Sequence, residues 1–198
     1  MIYKILPLVL FCILSFKPIN TADAVIKHNI TTDPELIAAN SKATLVTKCK
    51  TLYGVIDANN LSLPKFDSFL AAFQGYELLK LQGKISNEIL TIVDFSLSST
   101  VERMWVIDMK TQKVILQSLV AHGRNSGTEF ATKFSNTNES FQSSLGFYVT
   151  GEEYQGKHGT SLRLDGMEAG INDNARNRAV VIHGADYVSE KLAKAQGY

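Results

Sequence analysis

The chain has 198 residues, 45% of them hydrophobic and 20% charged, with a formal net charge of +1. This length suffices for one domain with its own core, and the composition excludes a disordered or low-complexity chain. A near-neutral chain without a basic cluster carries no footprint for nucleic acid.

Met1–Lys4 brings one positive charge, Ile5–Phe16 is nearly all apolar, and Ala22-Asp23-Ala24 has the small-x-small pattern of a signal-peptidase site. This predicts a secretory signal peptide over residues 1–24, cleaved after Ala24. The apolar run is shorter than the roughly 20 residues that span a bilayer, so no membrane anchor is expected after cleavage. Phe11 stands before Cys12, where a lipoprotein site needs a small residue. Cleavage removes Lys4, Lys17 and Asp23, which leaves the remainder neutral with Cys49 as its one cysteine and no internal disulfide.

Val25–Thr32 reads as a frayed N-terminus that includes His28. Asp33-Pro34-Glu35 then has the order of a helix start: N-cap acid, proline at the first position, acid in the first turn. The helix is expected to run towards Val55, with Leu45, Cys49, Leu52, Val55 and Ile56 on one face. Pro64 opens a second helix whose stripe is Phe66, Phe69, Leu70, Phe73, Tyr76 and Leu79 or Lys80, with Gly83 as the stop. An aromatic stripe at this spacing belongs to a core rather than a ligand box.

From about residue 85 the pattern becomes extended. Ile89–Phe95, Met104–Asp108 and Val114–His122 read as strands, with a polar turn over Asp108–Lys113. Gly146–Thr150 and Ser161–Leu164 are shorter ones. Ala179–His183 is an unbroken apolar run that ends in an imidazole, as expected of a strand buried on both faces. Ser189–Gln196 is helical again. The long polar stretches Gly123–Ser144 and Asp165–Arg178 are expected to be functional loops. The fold class is mostly β (α+β): residues 25–84 form a helical region that packs on the sheet, and residues 85–198 form the β domain.

Three histidines precede glycines: His122-Gly123, His158-Gly159 and His183-Gly184. A metal site would need them to converge, yet no pair has the spacing of a ligand motif. Nucleophilic catalysis needs a nucleophile, a base and oxyanion donors. His183, at the end of a strand, suits the base. Cys49 falls on an apolar helix face, where a thiol is inert packing. Ser143, Ser144 and Ser189 are available, but none lies in a Gly-x-Ser-x-Gly elbow. From the residues alone the chain has a good base and no good nucleophile.

Several phrases, taken in order, resemble the L,D-transpeptidase catalytic domain family in its YkuD-like second branch. They are Asp94-Phe95-Ser96, Trp105–Asp108, Val120–Gly127, Phe134-Ser135-Asn136, Ser143–Tyr148, Gly156–Gly159, Ser161–Leu164, Asn172–Ala175 and Val181–Ala185. The resemblance covers about residue 60 onward. It implies a YkuD-like β-sandwich or barrel preceded by two N-terminal helices. It also implies an exported enzyme of the periplasm or cell envelope that acts on peptidoglycan stem peptides. There a cysteine attacks the bond between a diamino acid and D-alanine, and the thioester passes to an amine, which cross-links, or to water, which trims. The implied base is His183, with Gly184 beside it. His122, Arg124, Tyr148 and His158 are candidates for substrate binding from their placement near the groove. No metal or cofactor is called for. The family's nucleophile belongs to a Ser-x-Gly-Cys phrase that would begin past Tyr198. The expectation is that the gene continues into it, and that residues 1–198 without it do not perform thiol-dependent acyl transfer. A non-catalytic peptidoglycan-binding envelope module and a metal-dependent hydrolase using His122, His158 and His183 are the alternatives.

Overall fold

A computed structural model describes residues 34–196, so the signal-peptide and N-terminal expectations for residues 1–33 lie outside the described residues. Helix α1 (Pro34–Tyr53) brings Cys49 to full burial, with Leu45 and Leu52 packed beside it. Val55, expected on the same face, is 57% exposed. The helix ends at Tyr53, so helical spacing no longer governs where Val55 points, while Ile56 turns back into the core. Helix α2 (Phe66–Leu81) buries Phe69, Phe73, Tyr76 and Leu79 as one stripe. Gly83 ends it at φ +66°, with the Gly83 N–H donating to Lys80 O at 3.0 Å and the Lys84 N–H to Leu79 O at 2.9 Å. That pair of bonds is a Schellman cap, whose left-handed residue favours glycine.

Strands β1 (Ile89–Val93), β2 (Met104–Asp108) and β3 (Lys113–Ser118) form an antiparallel sheet in that order. Ile92 sits opposite Trp105, and Ile107 opposite Val114, so alternate residues on one face meet the aromatic stripe of α2 and Cys49 of α1. Each large side chain buried here contributes about 1.5–3 kcal/mol. Two strands stop earlier than their apolar patterns suggest. After Val93 the Asp94 carboxylate accepts the Ser96 N–H at 2.9 Å and turns the chain. After Ser118 the Val120 carbonyl is taken by the Arg103 side chain instead of a strand partner.

The second antiparallel sheet holds β4 (Tyr148–Gly156), β5 (Gly159–Gly166) and β6 (Val181–His183). β4 and β5 are longer than the expected Gly146–Thr150 and Ser161–Leu164 and meet at a tight Lys157-His158 turn. No apolar alternation marks their extensions, where Glu152, Glu153 and Gln155 are polar and exposed. The expectation for Ala179–His183 needs correction. Ala179 is a left-handed turn residue at φ 53°, and β6 spans three residues with Ile182 38% exposed. Burial on both faces needs a layer packed on each face of the sheet, and the exposure of Ile182 shows one face uncovered; among the described residues β6 pairs with β5 alone. A short helix α3 (Glu190–Gln196) follows.

Helices of 20, 16 and 7 residues outweigh strands of 5, 5, 6, 9, 8 and 3, so the described chain is α+β rather than mostly β. α2 meets the residue that precedes β4 at Gly75, where a Cβ would stand 2.2 Å from the Phe147 ring. The two long connections are not slack. Asn172 is fully buried, its amide donates to Leu145 O and Phe147 O at 3.2 and 2.9 Å, and its Oδ1 accepts from Glu168 N. The Arg178 guanidinium donates to Ser135 O, Ser140 Oγ, Ser144 Oγ and Gln142 O. One connection is thereby laced to the other, and both act as a frame.

Candidate active site

The three His-Gly pairs, alike in sequence, have different surroundings. Gly123 is packed so tightly that a Cβ would lie 2.5 Å from Phe141 O. Gly159 serves the β4–β5 turn at φ +83°. Gly184 borders open space, with nothing within 4 Å of where a Cβ would be. Gly159 borders open space in the same way, so the crowding sets His122 apart while His158 and His183 both stand next to an unobstructed approach.

His183 ends β6 opposite Ser161 of β5, which is 3% exposed. Its Nδ1 lies 2.7 Å from Gly184 O. A carbonyl only accepts, so Nδ1 carries the hydrogen and the neutral ring keeps its lone pair on Nε2. The His158 ring stacks on His183 with centroids 4.6 Å apart and planes 17° from parallel. Tyr187 meets His158 edge-on at 6.3 Å. Two of the sequence candidates are thus neighbours.

His122 has a separate setting. Arg103, fully buried, donates from Nη2 to His122 Nδ1 at 2.8 Å, and the Phe95 ring meets the imidazole edge-on. The same guanidinium donates to Leu97 O and Val120 O. Burial holds the His122 pKa below its ordinary 6.5, with the Arg103 charge adding to it, against opposing backbone hydrogen bonds at Gly127 and Thr128. His122 is therefore neutral in the fold, whereas the unfolded chain takes up a proton near pH 6.5. Stability should fall as pH drops below about 6.5 towards the folded value, because only the unfolded state gains the proton early. Urea melts at pH 7.5 and 5.5 check this; His122→Phe should flatten the dependence, and an unchanged slope would dismiss the assignment.

Arg124 is exposed, with its guanidinium 3.8 Å from the Phe141 ring centre. The Tyr148 hydroxyl donates to Ser144 O at 2.9 Å, and burial pushes its pKa up. Cys49 lies in the helical core, where burial also pushes the thiol up and leaves it a poor thiolate. The serines are engaged structurally: Ser143 Oγ accepts Gly123 N at 3.0 Å, Ser144 Oγ donates to Ser135 O at 2.8 Å, and Ser189 Oγ accepts Leu192 N. The three histidines do not assemble as a ligand set: no group of three His, Cys, Asp or Glu among the described residues is placed to hold a metal ion.

Arg103 and Arg178, which organise the surroundings, carried no sequence signal. Each is a single cation beside a polar loop, and such residues are usually solvated. On the second sheet, Arg163 stacks over Tyr154 at 4.5 Å, while Arg176 pairs with Asp165 and Glu152. Arg176 holds both carboxyls below the usual carboxylate range. No helix among the described residues is long and apolar enough to cross a membrane. A family model described as the L,D-transpeptidase catalytic domain matches residues 60–198. No curated protein and no solved structure matches the chain.

Proposed function

Because the chain belongs to the L,D-transpeptidase catalytic domain family, whose members modify peptidoglycan, we propose that it acts on stem peptides with His183 as the base. The observation that carries this is the His183–Gly184 geometry. Nδ1–H is committed to Gly184 O, so Nε2 holds the lone pair, and Gly184 leaves room for a substrate to approach. In the proposed reaction Nε2 takes the proton of a cysteine thiol, and the thiolate attacks the carbonyl carbon before D-alanine. The imidazolium returns that proton to the D-alanine nitrogen as the amide bond breaks. An amine or water then opens the thioester, giving a cross-link or a trimmed peptide.

The thiol would be that of the family's Ser-x-Gly-Cys phrase, to which nothing in residues 34–196 corresponds. His122, Arg124, Tyr148 and His158 are proposed to line the approach. Arg124 is the exposed cation suited to a stem-peptide carboxylate. The Tyr148 hydroxyl and His122 Nδ1 are already engaged and would contribute shape. A YkuD-like sandwich or barrel arrangement of the two sheets, export by the N-terminal segment and an envelope location belong to the same proposal.

The test uses the natural gene product. Incubated with a disaccharide tetrapeptide, with or without a free D-amino acid, it should release or exchange the terminal D-alanine, as read by mass spectrometry. Binding without turnover would identify a peptidoglycan-binding module instead. Neither binding nor turnover would end the proposal.

A further inference from the structure

His183 is poorly held by its own strand. β6 has three residues, pairs with β5 alone among the described residues, and exposes Ile182 beside the histidine. An imidazole in such a place is free to turn about its side-chain bonds. It has one hydrogen bond, to the neighbouring residue's carbonyl, which moves with the same loop. What comes from outside the strand is a ring: His158, at the tip of the long β4–β5 hairpin, lies face to face with it at 4.6 Å. His158 is itself exposed, and Tyr187, from the turn after β6, closes on its edge at 88°.

The turn is shaped for this. Gly159 takes φ +83° to close it, and a Cβ on Gly156 would stand 3.0 Å from the Tyr154 ring and 3.2 Å from Ser161 Oγ. Ser161 is the residue opposite His183. The turn that presents His158 and the residue that backs His183 are therefore parts of one tightly packed hairpin end.

We propose that His158 is a positioning residue for His183: its ring limits rotation of the base and keeps Nε2 directed at the reacting thiol. The proposal rests on His183 being the base. Aromatic pairs in offset stacks contribute modestly beyond their buried area, so the effect is a matter of fold-changes, not of abolished activity.

The experiment compares His158→Ala and His158→Phe in the natural gene product, using stem-peptide kinetics and NMR of histidine-labelled protein. In His158→Ala the His183 ring resonances should shift, because the facing ring current is lost. Its kcat should fall about five- to tenfold. His158→Phe keeps a flat ring without a titratable nitrogen and should restore kcat to within about twofold. A merely structural role would lower the melting temperature in both variants, and neither should show that, since His158 is exposed. Unchanged His183 resonances in His158→Ala, or a kcat that phenylalanine fails to restore, would overturn the proposal. The resonances report the stack whether or not the sample turns over substrate. A wrong assignment of the base announces itself differently, by activity that survives in His183→Ala.

Discussion

Replacing His183 with alanine should lower kcat on a stem peptide by about a thousandfold and leave the melting temperature within a few degrees. The first half follows from the chemistry: a positioned general base contributes about 10²–10⁴-fold. Without the base, a thiol with a pKa near 8.5 is mostly protonated at neutral pH. The second half follows from placement. His183 lies on a three-residue strand, and its side chain makes one hydrogen bond, to Gly184 O. No core contact is lost, so the fold should hardly notice. His183→Asn is the sharper control, since its amide can still donate to that carbonyl but cannot take the thiol's proton. If either variant keeps activity within about tenfold of the natural protein, the base lies elsewhere.

The second large effect is on stability. Arg103→Leu should cost about 3 kcal/mol or more, read as a lower urea midpoint. The guanidinium is fully buried and supplies Leu97 O, Val120 O and His122 Nδ1. Leucine leaves these acceptors unmatched, and each buried unsatisfied group costs about 1–3 kcal/mol. It also removes the cation lying 5.2 Å from the Phe95 ring centre. One term opposes this: a buried charge pays for its desolvation, and burial pushes the Arg103 pKa down, although nearby Asp94 draws it partly back. Asp94 does not need Arg103 as its partner. Burial works to raise its pKa, but hydrogen bonds from Ser68 and Ser96 outweigh that and leave it below the usual range. The unmatched acceptors therefore decide the sign. Arg103→Lys keeps the charge but not the fork, and should cost roughly half as much. A leucine variant as stable as the natural protein would show that Arg103 does not organise this corner.

Much of the helical part was legible from residue order. The Phe69, Phe73, Tyr76 stripe and the glycine at 83 are local signals, set by the 3.6-residue period and by which residue tolerates a left-handed cap. The first sheet was legible for a related reason, since it has one wet face and one packed on the helices, so alternation marks it. The β4–β5 hairpin was legible only in part, as two short strands, because polar residues along the rest of its length leave no period to read.

The site divides in the same way. Residue order by itself determined that an imidazole would end a strand beside glycine in the Val181–Gly184 phrase, because a short apolar run and a turn residue are local facts. It could not tell the three His-Gly pairs apart, since Gly123, Gly159 and Gly184 differ only in what surrounds them. Tertiary structure alone decided that only Val181–His183 of this run is a strand and that it pairs with β5 alone among the described residues, because burial depends on neighbours distant in the chain. It also placed His158 of one hairpin on His183 of another strand, and gave His122 to Arg103. Ring stacking and the sharing of a buried guanidinium are set by cross-strand distance, which residue spacing does not encode.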